Sequence, residues 1–154
     1  MSQPYRFDLQ RLRQLEIAPG AFRVKRAVRF HDIDAAGIVY FARVLDYAHD
    51  TYCQYLESVG HGLPQVLSDG EWAAPIGHVE VDYFAPLLFG DELELVIARA
   101  HLDGSRLTLA HLVRCKDKVR CVVQTTHVFV GRADFRPIAI PPSLLEALQQ
   151  LPRG

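Results

Sequence analysis

The chain has 154 residues, 49% hydrophobic and 23% charged, which suits one compact domain with a buried core. A formal net charge of −1 supplies no field that would make nucleic acid or an anionic membrane the expected partner. No run approaches the roughly 18–20 apolar residues of a membrane span, and the N-terminus MSQPYRFDLQRLRQLE lacks the apolar segment of a signal peptide, so a cytoplasmic protein is expected.

In chain order, residues 1–20 carry Leu9, Leu12 and Leu15 at helical steps before Pro19-Gly20, and read as an N-terminal extension, a short helix or arm. From Arg23 the period changes to two, with Val24, Val28 and Phe30 alternating with charged neighbours as in a half-buried strand. A loop over 31–37 follows. The clearest helix comes next: Phe41, Leu45, Ala48, Tyr52, Leu56 and Val59 recur at three- and four-residue steps, with Arg43, Asp46, Asp50, Gln54 and Glu57 on the other side. Gly60 and Gly62-Leu63-Pro64 end it.

An extended run near 73–84 is followed by three alternating segments, around 93–97, 107–113 and 119–129. Asp103-Gly104 and Lys116-Asp117-Lys118 mark tight reversals between them, so an antiparallel meander is expected. One strand, one long helix and four strands make an α+β fold, a five-stranded antiparallel sheet wrapped around the helix whose long apolar stripe it must cover. Residues 137–142 lead out of the sheet and 144–151 suit a short helix. The expected organisation is an extension over 1–20, the domain over 21–140 and a terminal helix and tail over 141–154.

The three cysteines, Cys53, Cys115 and Cys121, are odd in number and lack CxxC or Cys/His spacing, so neither a disulfide framework nor a zinc site is expected. No His, Asp and Glu fall at metal-ligand spacing, no GxSxG elbow occurs, and mid-helix Cys53 lacks the setting of an activated thiol. Metal and cofactor are both expected to be absent.

The segment H-D-I-D-A-A-G-I-V-Y-F over 31–41 stands where a strand hands over to a helix. Small Ala35, Ala36 and Gly37 let a ligand or another backbone approach. Unpaired N–H groups at a helix start, at the positive end of its dipole, suit an oxygen that gains negative charge, as acyl transfer requires. An aspartate beside them is ionised at neutral pH and can serve as base or nucleophile without a metal. Taken alone, the same aspartates read equally well as a helix cap or a solvated turn.

D-I-D-A-A-G-I-V-Y-F, the following A-R-V-L-D-Y-A-H-D-T-Y and the later H-V-E-V-D-Y-F-A-P-L-L-F-G-D-E-L together resemble the 4-hydroxybenzoyl-CoA thioesterase family of hotdog proteins, over about 23–132. V-Y-F at 39–41, His49 and T-T-H-V at 125–128 look most like its 1,4-dihydroxy-2-naphthoyl-CoA thioesterases. The resemblance implies hydrolysis of an aromatic acyl-CoA to free acid and CoA. It implies Asp34 as nucleophile or general base, the Phe41 amide as oxyanion donor and Gly37 shaping the loop beneath. Tyr40, His49 and Arg106 are the expected substrate-binding residues, and a homodimer or homotetramer is the expected assembly.

Two departures stand out. Phe41 replaces a His of some relatives, which leaves only the backbone donor there. The basic cluster that some relatives place after the strand over 92–102 is here Asp103-Gly104-Ser105-Arg106, with Arg99, Arg114 and Lys118 as further cations for CoA phosphates. His31 and Asp32 flank Asp34 and suit orienting it or its water as well as they suit hydrogen bonding within the loop, with direct catalysis the lesser reading. Tyr47, Tyr83 and Phe84 suit either pocket or core, and His111 and His127 suit the core. The rival functions are an aliphatic acyl-CoA or acyl-carrier-protein thioesterase, a non-catalytic acyl-CoA-binding module and a dehydratase, the last lacking its usual His-containing loop.

Overall fold

The computed structural model describes residues 3–154, so the first two residues of the N-terminal extension lie outside it. The elements run α1 (Leu9–Leu12), β1 (Arg23–Ala27), a 3-10 turn (Phe30–Asp32), α2 (Arg43–Ser58), α3 (Leu63–Asp69), β2 (Trp72–Ala73), β3 (Ile76–Tyr83), β4 (Glu92–Asp103), β5 (Arg106–Cys115), β6 (Lys118–Val128), β7 (Val130–Gly131) and α4 (Pro142–Leu148). The main sheet has five antiparallel strands in the order β1-β4-β5-β6-β3. Lys116 and Asp117, both at positive φ (50° and 61°), form the tight β5–β6 reversal, whose twist matches that of its strands.

The sheet curls around α2. Val44, Tyr47, Ala48, Tyr52, Tyr55 and Leu56 are buried on the helix. At its N-terminal end they meet Leu93, Leu95, Val113, Cys115, Cys121 and Val123, and at its C-terminal end Ile97, Leu107, Leu109 and Phe129. Leu144 and Leu148 of α4 close that far end. Gly60, at φ +83°, ends α2 with the His61 N–H donating back to the Leu56 carbonyl, and Pro64 fits the first turn of α3, where a proline forfeits no helical hydrogen bond. The extended run expected over 73–84 divides at Pro75 into β2, which pairs with β7, and β3, which pairs with β6.

The outer face of the sheet is covered as well. Phe7, Leu9 and Leu12 pack on Val96, Ala98, Ala110, Leu112 and Val122, so the central strands are buried on both sides. Buried Gln124 stitches this cover in place: its Oε1 accepts from the Phe7 N–H (2.6 Å) and its Nε2 donates to the Tyr5 carbonyl (3.4 Å). Only Leu9–Leu12 is helical, with Asp8 accepting from the Arg11 N–H at its start. The rest of the segment is an arm held by packing.

Three buried titratable side chains, His111, His127 and Asp32, set the acid limit of this fold. His111 Nε2 lies 3.4 Å and His127 Nε2 3.2 Å from Thr125 Oγ1, between sheet and helix. Burial, then the charges of His127 and His49, push His111 down to about 3; burial pushes His127 down to about 4, partly offset by its bond to the Ala74 carbonyl. Asp32 is 1% exposed and accepts from the Arg29 N–H (2.9 Å), closing the 3-10 turn. Burial raises its carboxyl, but the Arg29 bond, the Tyr47 hydroxyl dipole and the Arg26 charge outweigh that and hold it below the ordinary value. The Tyr47 hydroxyl acts here through proximity, because it meets no partner at hydrogen-bond geometry.

In the unfolded chain both histidines take protons near pH 6.5. The unfolded state therefore binds more protons below that pH, and stability is lost as pH falls from about 6.5 toward 3. Urea midpoints followed across that range should decline, and His111→Leu should flatten the decline; an unchanged slope would remove the histidines from the account. Asp32 contributes above its unfolded value of about 3.9, and its contribution disappears as pH falls through the lower folded value. Asp32→Ala should cost about 1–3 kcal/mol at pH 7 by urea denaturation, as expected when a hydrogen bond to a buried charged group is lost.

Candidate active site

The loop after β1 is fastened at several points. Ile33 bridges to Val39, the Val39 N–H donates to the Leu87 carbonyl (2.9 Å), and the Tyr40 N–H donates to the Asp32 carbonyl (2.8 Å). Between them Asp34 makes a compact turn: its N–H donates to the Ile38 carbonyl (3.0 Å), its carbonyl accepts from the Gly37 N–H (3.0 Å), and its Oδ1 accepts from the Ala36 N–H (2.8 Å). Gly37 stands at φ +77° with open space around the position of a Cβ, so its role is conformational rather than steric.

These constraints hold Asp34 on the wall of a cavity of about 540 Å³. The other walls include Phe41 and Val44 at the start of α2, Tyr83 and Phe84 at the end of β3, Leu87, and Cys121 of β6. Among the described lining residues Asp34 alone carries a charge. Burial pushes the Cys121 thiol up to about 12, with only slight relief from Arg120, so it stays protonated at neutral pH and is a poor nucleophile.

The helix begins at Arg43, two residues later than the apolar stripe suggested, and Phe41 lies 61% exposed in the preceding turn instead of on the buried stripe. The Phe41 N–H has no backbone or side-chain acceptor among the described residues, and the N-cap Ala42 has no side chain that could cap the helix. Tyr83 holds this turn by donating from its hydroxyl to the Phe41 carbonyl (2.7 Å). That bond joins residues 42 apart in the chain, and nothing in the local sequence announces it.

The other expected residues scatter. Tyr40 is exposed and packs its ring on Phe41 at 4.7 Å, outside the cavity wall. Tyr47 belongs to the core. His49 is exposed farther along α2, with Nε2 3.5 Å from Cys53 Sγ. Arg106 opens β5, paired with Val128 and Asp103, at the end of the sheet remote from Cys121 and Tyr83. Within one chain it is not brought to the cavity. Arg99 lies on the outer face beside Tyr5 and Phe7, whereas Arg114 and Lys118 line a second, basic cavity. No group of three or more His, Cys, Asp and Glu suited to a metal ion is assembled among the described residues, and none of their helices is long and apolar enough to cross a membrane.

A single carboxylate on an apolar wall, next to an unengaged amide at a helix start, is an arrangement for adding a nucleophile to a carbonyl and holding the resulting oxyanion. The comparisons with known proteins agree with that chemistry. The model of the thioesterase-like superfamily matches residues 28–148. The 1,4-dihydroxy-2-naphthoyl-CoA hydrolase of Thermosynechococcus vestitus is 33% identical over 130 residues, covering 83% of this chain and 88% of that protein. Its namesake from Rippkaea orientalis is 31% identical over 127 residues, covering 80% and 92%. In three dimensions the 1,4-dihydroxy-2-naphthoyl-CoA thioesterase of Synechocystis superposes with a TM-score of 0.79 at 27% identity, over 86% of this chain and 98% of that one. With most of both chains matched in sequence and in fold, this chain belongs to the thioesterase-like superfamily and is a thioesterase of the hotdog fold.

Proposed function

We propose that the chain hydrolyses an aromatic acyl-CoA, of the dihydroxynaphthoyl or hydroxybenzoyl kind, at the cavity beside Asp34. The observation that carries this reading is that Asp34 is the one charged group, among the described residues, on an apolar wall that also includes Phe41, whose N–H has no acceptor among them. Phe41, Tyr83 and Phe84 supply aromatic faces for a planar acyl group, and the relatives named above act on such a thioester.

Asp34 Oδ1 is committed to the Ala36 N–H, which leaves Oδ2 for the chemistry. Acting as base, Oδ2 takes a proton from water as the hydroxyl oxygen adds to the thioester carbon. The carbonyl electrons move to an oxyanion held by the Phe41 N–H. Collapse breaks the C–S bond, and the CoA thiolate leaves with the proton from Asp34. Acting as nucleophile, the same oxygen adds to the thioester carbon and the C–S bond breaks, releasing the CoA thiolate and leaving an anhydride. Water then opens the anhydride to the free acid and the Asp34 carboxylate, and its other proton passes to the thiolate. In a single turnover in 18O-water, label in the Asp34 carboxyl identifies the second route with water opening the anhydride at the aspartyl carbon, whereas label in the acid alone shows that water added at the acyl carbon.

The assembly proposed for this site is a dimer. β3 is an edge strand, and Ile76, Val79 and Tyr83 along it are 45%, 40% and 47% exposed, a row of apolar groups beside unpaired backbone. The opposite edge, β1, is shorter and carries Arg23, Lys25 and Arg26. A second copy added along β3 would cover these groups and wall the cavity at Tyr83. The outer face, on which two dimers could stack, is already occupied by the N-terminal segment.

Asp34→Asn should retain the fold and lower thiol release from aromatic acyl-CoA at least about a hundredfold. Equal rates in both proteins would move catalysis away from Asp34, a preference for aliphatic or carrier-protein thioesters would overturn the substrate class, and binding without turnover would indicate a binding module. By sedimentation velocity the unaltered protein should be a dimer and Val79→Asp largely monomeric with depressed kcat/KM; a monomeric parent would dispose of the interface.

A further inference from the structure

A second cavity, of about 640 Å³, lies between the N-terminal segment and the β5–β6 hairpin. Arg13 and Glu16 stand on one wall and Arg114, Asp117, Lys118 and Arg120 on the other, with Arg23 and Ala85 also in the lining. Five cations therefore face two carboxylates. Arg114 is bound to Glu94 and lies 3.6 Å from Asp117, and Arg23 lies 3.7 Å from Glu94. The remaining three cations, Arg13, Lys118 and Arg120, have no ion-pair partner among the described residues, and Arg120 Nε is buried without a hydrogen-bond acceptor. An excess of cations over carboxylates in one cavity leaves like charges repelling one another, which a bound anion would relieve.

The position of this cavity identifies the anion. Ala85 lines both this cavity and the catalytic one, so the two meet at the end of β3. Phe84, on the catalytic wall, carries the Arg13 guanidinium 4.5 Å above its ring centre. A CoA thioester carries its pyrophosphate and 3′-phosphate at the far end of a long, uncharged pantetheine arm. With the thioester beside Asp34, those phosphates must lie outside the apolar cavity, and a basic site adjoining it meets that need. The stretch that expectation favoured, around Arg106, lies at the other end of the sheet. Arg13 and Glu16 fall outside the residues matched by the superfamily model, so this wall is contributed by the N-terminal segment of this chain.

Building on the thioesterase reading, we propose that this basic cavity binds the nucleotide phosphates of acyl-CoA through Arg13, Lys118 and Arg120, with Ala85 marking where the pantetheine arm passes into the catalytic cavity. The site then selects free CoA thioesters over carrier-protein thioesters, which lack the nucleotide.

The test compares three probes sharing one acyl group: acyl-CoA, acyl-dephospho-CoA without the 3′-phosphate, and acyl-pantetheine without any phosphate. Arg120→Gln and the exposed Lys118→Glu should each raise KM for acyl-CoA about tenfold with kcat little changed, as expected for loss of a charged contact made equally in ground and transition states. Both should leave kcat/KM for acyl-pantetheine unchanged, which also shows that they fold. The penalty should shrink for acyl-dephospho-CoA and with added salt. An unchanged KM for acyl-CoA in the variants, or equal losses on acyl-pantetheine, would overturn the site while leaving the thioesterase reading in place. Calorimetric binding of CoA itself gives the converse: affinity that depends on Arg120 and Lys118 in a protein without turnover would keep the site and refute the reaction. Absence of both CoA binding and turnover would end both.

Discussion

Enclosure of α2 is the constraint on which the rest of the structure depends. Tyr47 and Ala48 are wholly buried and Tyr52 and Leu56 nearly so, and each large side chain of this kind gains about 1.5–3 kcal/mol by leaving water. No flat sheet can surround a helix of 16 residues, so the strands curl, and the chain must enter the helix from the rim of that curl. The loop at the entry is closed on Arg29, just past β1, through Asp32 and tied to the chain beyond β3 through the Leu87 carbonyl. The geometry of Asp34 and Phe41 is therefore a consequence of how the helix is docked. A change in the core beneath Val44 or Tyr47 acts on the site without touching it.

Enclosing the helix satisfies only one face of the sheet. The alternation of Leu107, Leu109, His111 and Val113 made the inner face legible in the sequence, and the turn residues Asp103-Gly104 and Lys116-Asp117 made the meander legible, because both signals are local. The outer face was not. Ala110 and Leu112 interleave with the inner residues, and a strand buried on both sides loses the contrast from which its orientation is read. The cover itself was visible only as Leu9, Leu12 and Leu15 at helical spacing. What holds it, Gln124 against the Phe7 and Tyr5 backbone, spans more than a hundred residues and has no local signature.

The site divides in the same way. Resemblance singled out Asp34 rather than Asp32, and the structure supplies a physical distinction between them. Asp32 spends its carboxylate on the Arg29 N–H inside the fold, whereas Asp34 lies partly exposed on the cavity wall. Periodicity assigned Phe41 to the buried stripe because a side chain one turn ahead of a helix has the same spacing as one within it. The exposure of Phe41 and the later start of α2 follow from the Asp32–Tyr40 and Tyr40–Arg43 backbone bonds, which no count of apolar residues contains. Tyr83, the clamp on that turn, was legible as an aromatic near the site and not as a hydrogen-bond donor. Arg106 stood out only for being basic after a strand, and within one chain the length of the sheet separates it from the cavity.

The proposed reaction also explains why so little charge stands at the catalytic cavity. A thiol of ordinary acidity, near 8.5, is a far better leaving group than an alcohol, so a carboxylate of modest basicity and one well-placed amide can suffice without a metal. A cation close to Asp34 would lower its basicity and compete for Oδ2. The nearest candidate at the helix start, Arg43, is instead held by Asp46 at 3.0 Å and leans on Asp32 at 3.9 Å. The positive charge that CoA requires is gathered in the neighbouring cavity, beyond Phe84 and Ala85. Separating the two lets affinity for the nucleotide be strengthened without weakening the base, because the uncharged pantetheine arm, not a shared electrostatic field, connects them.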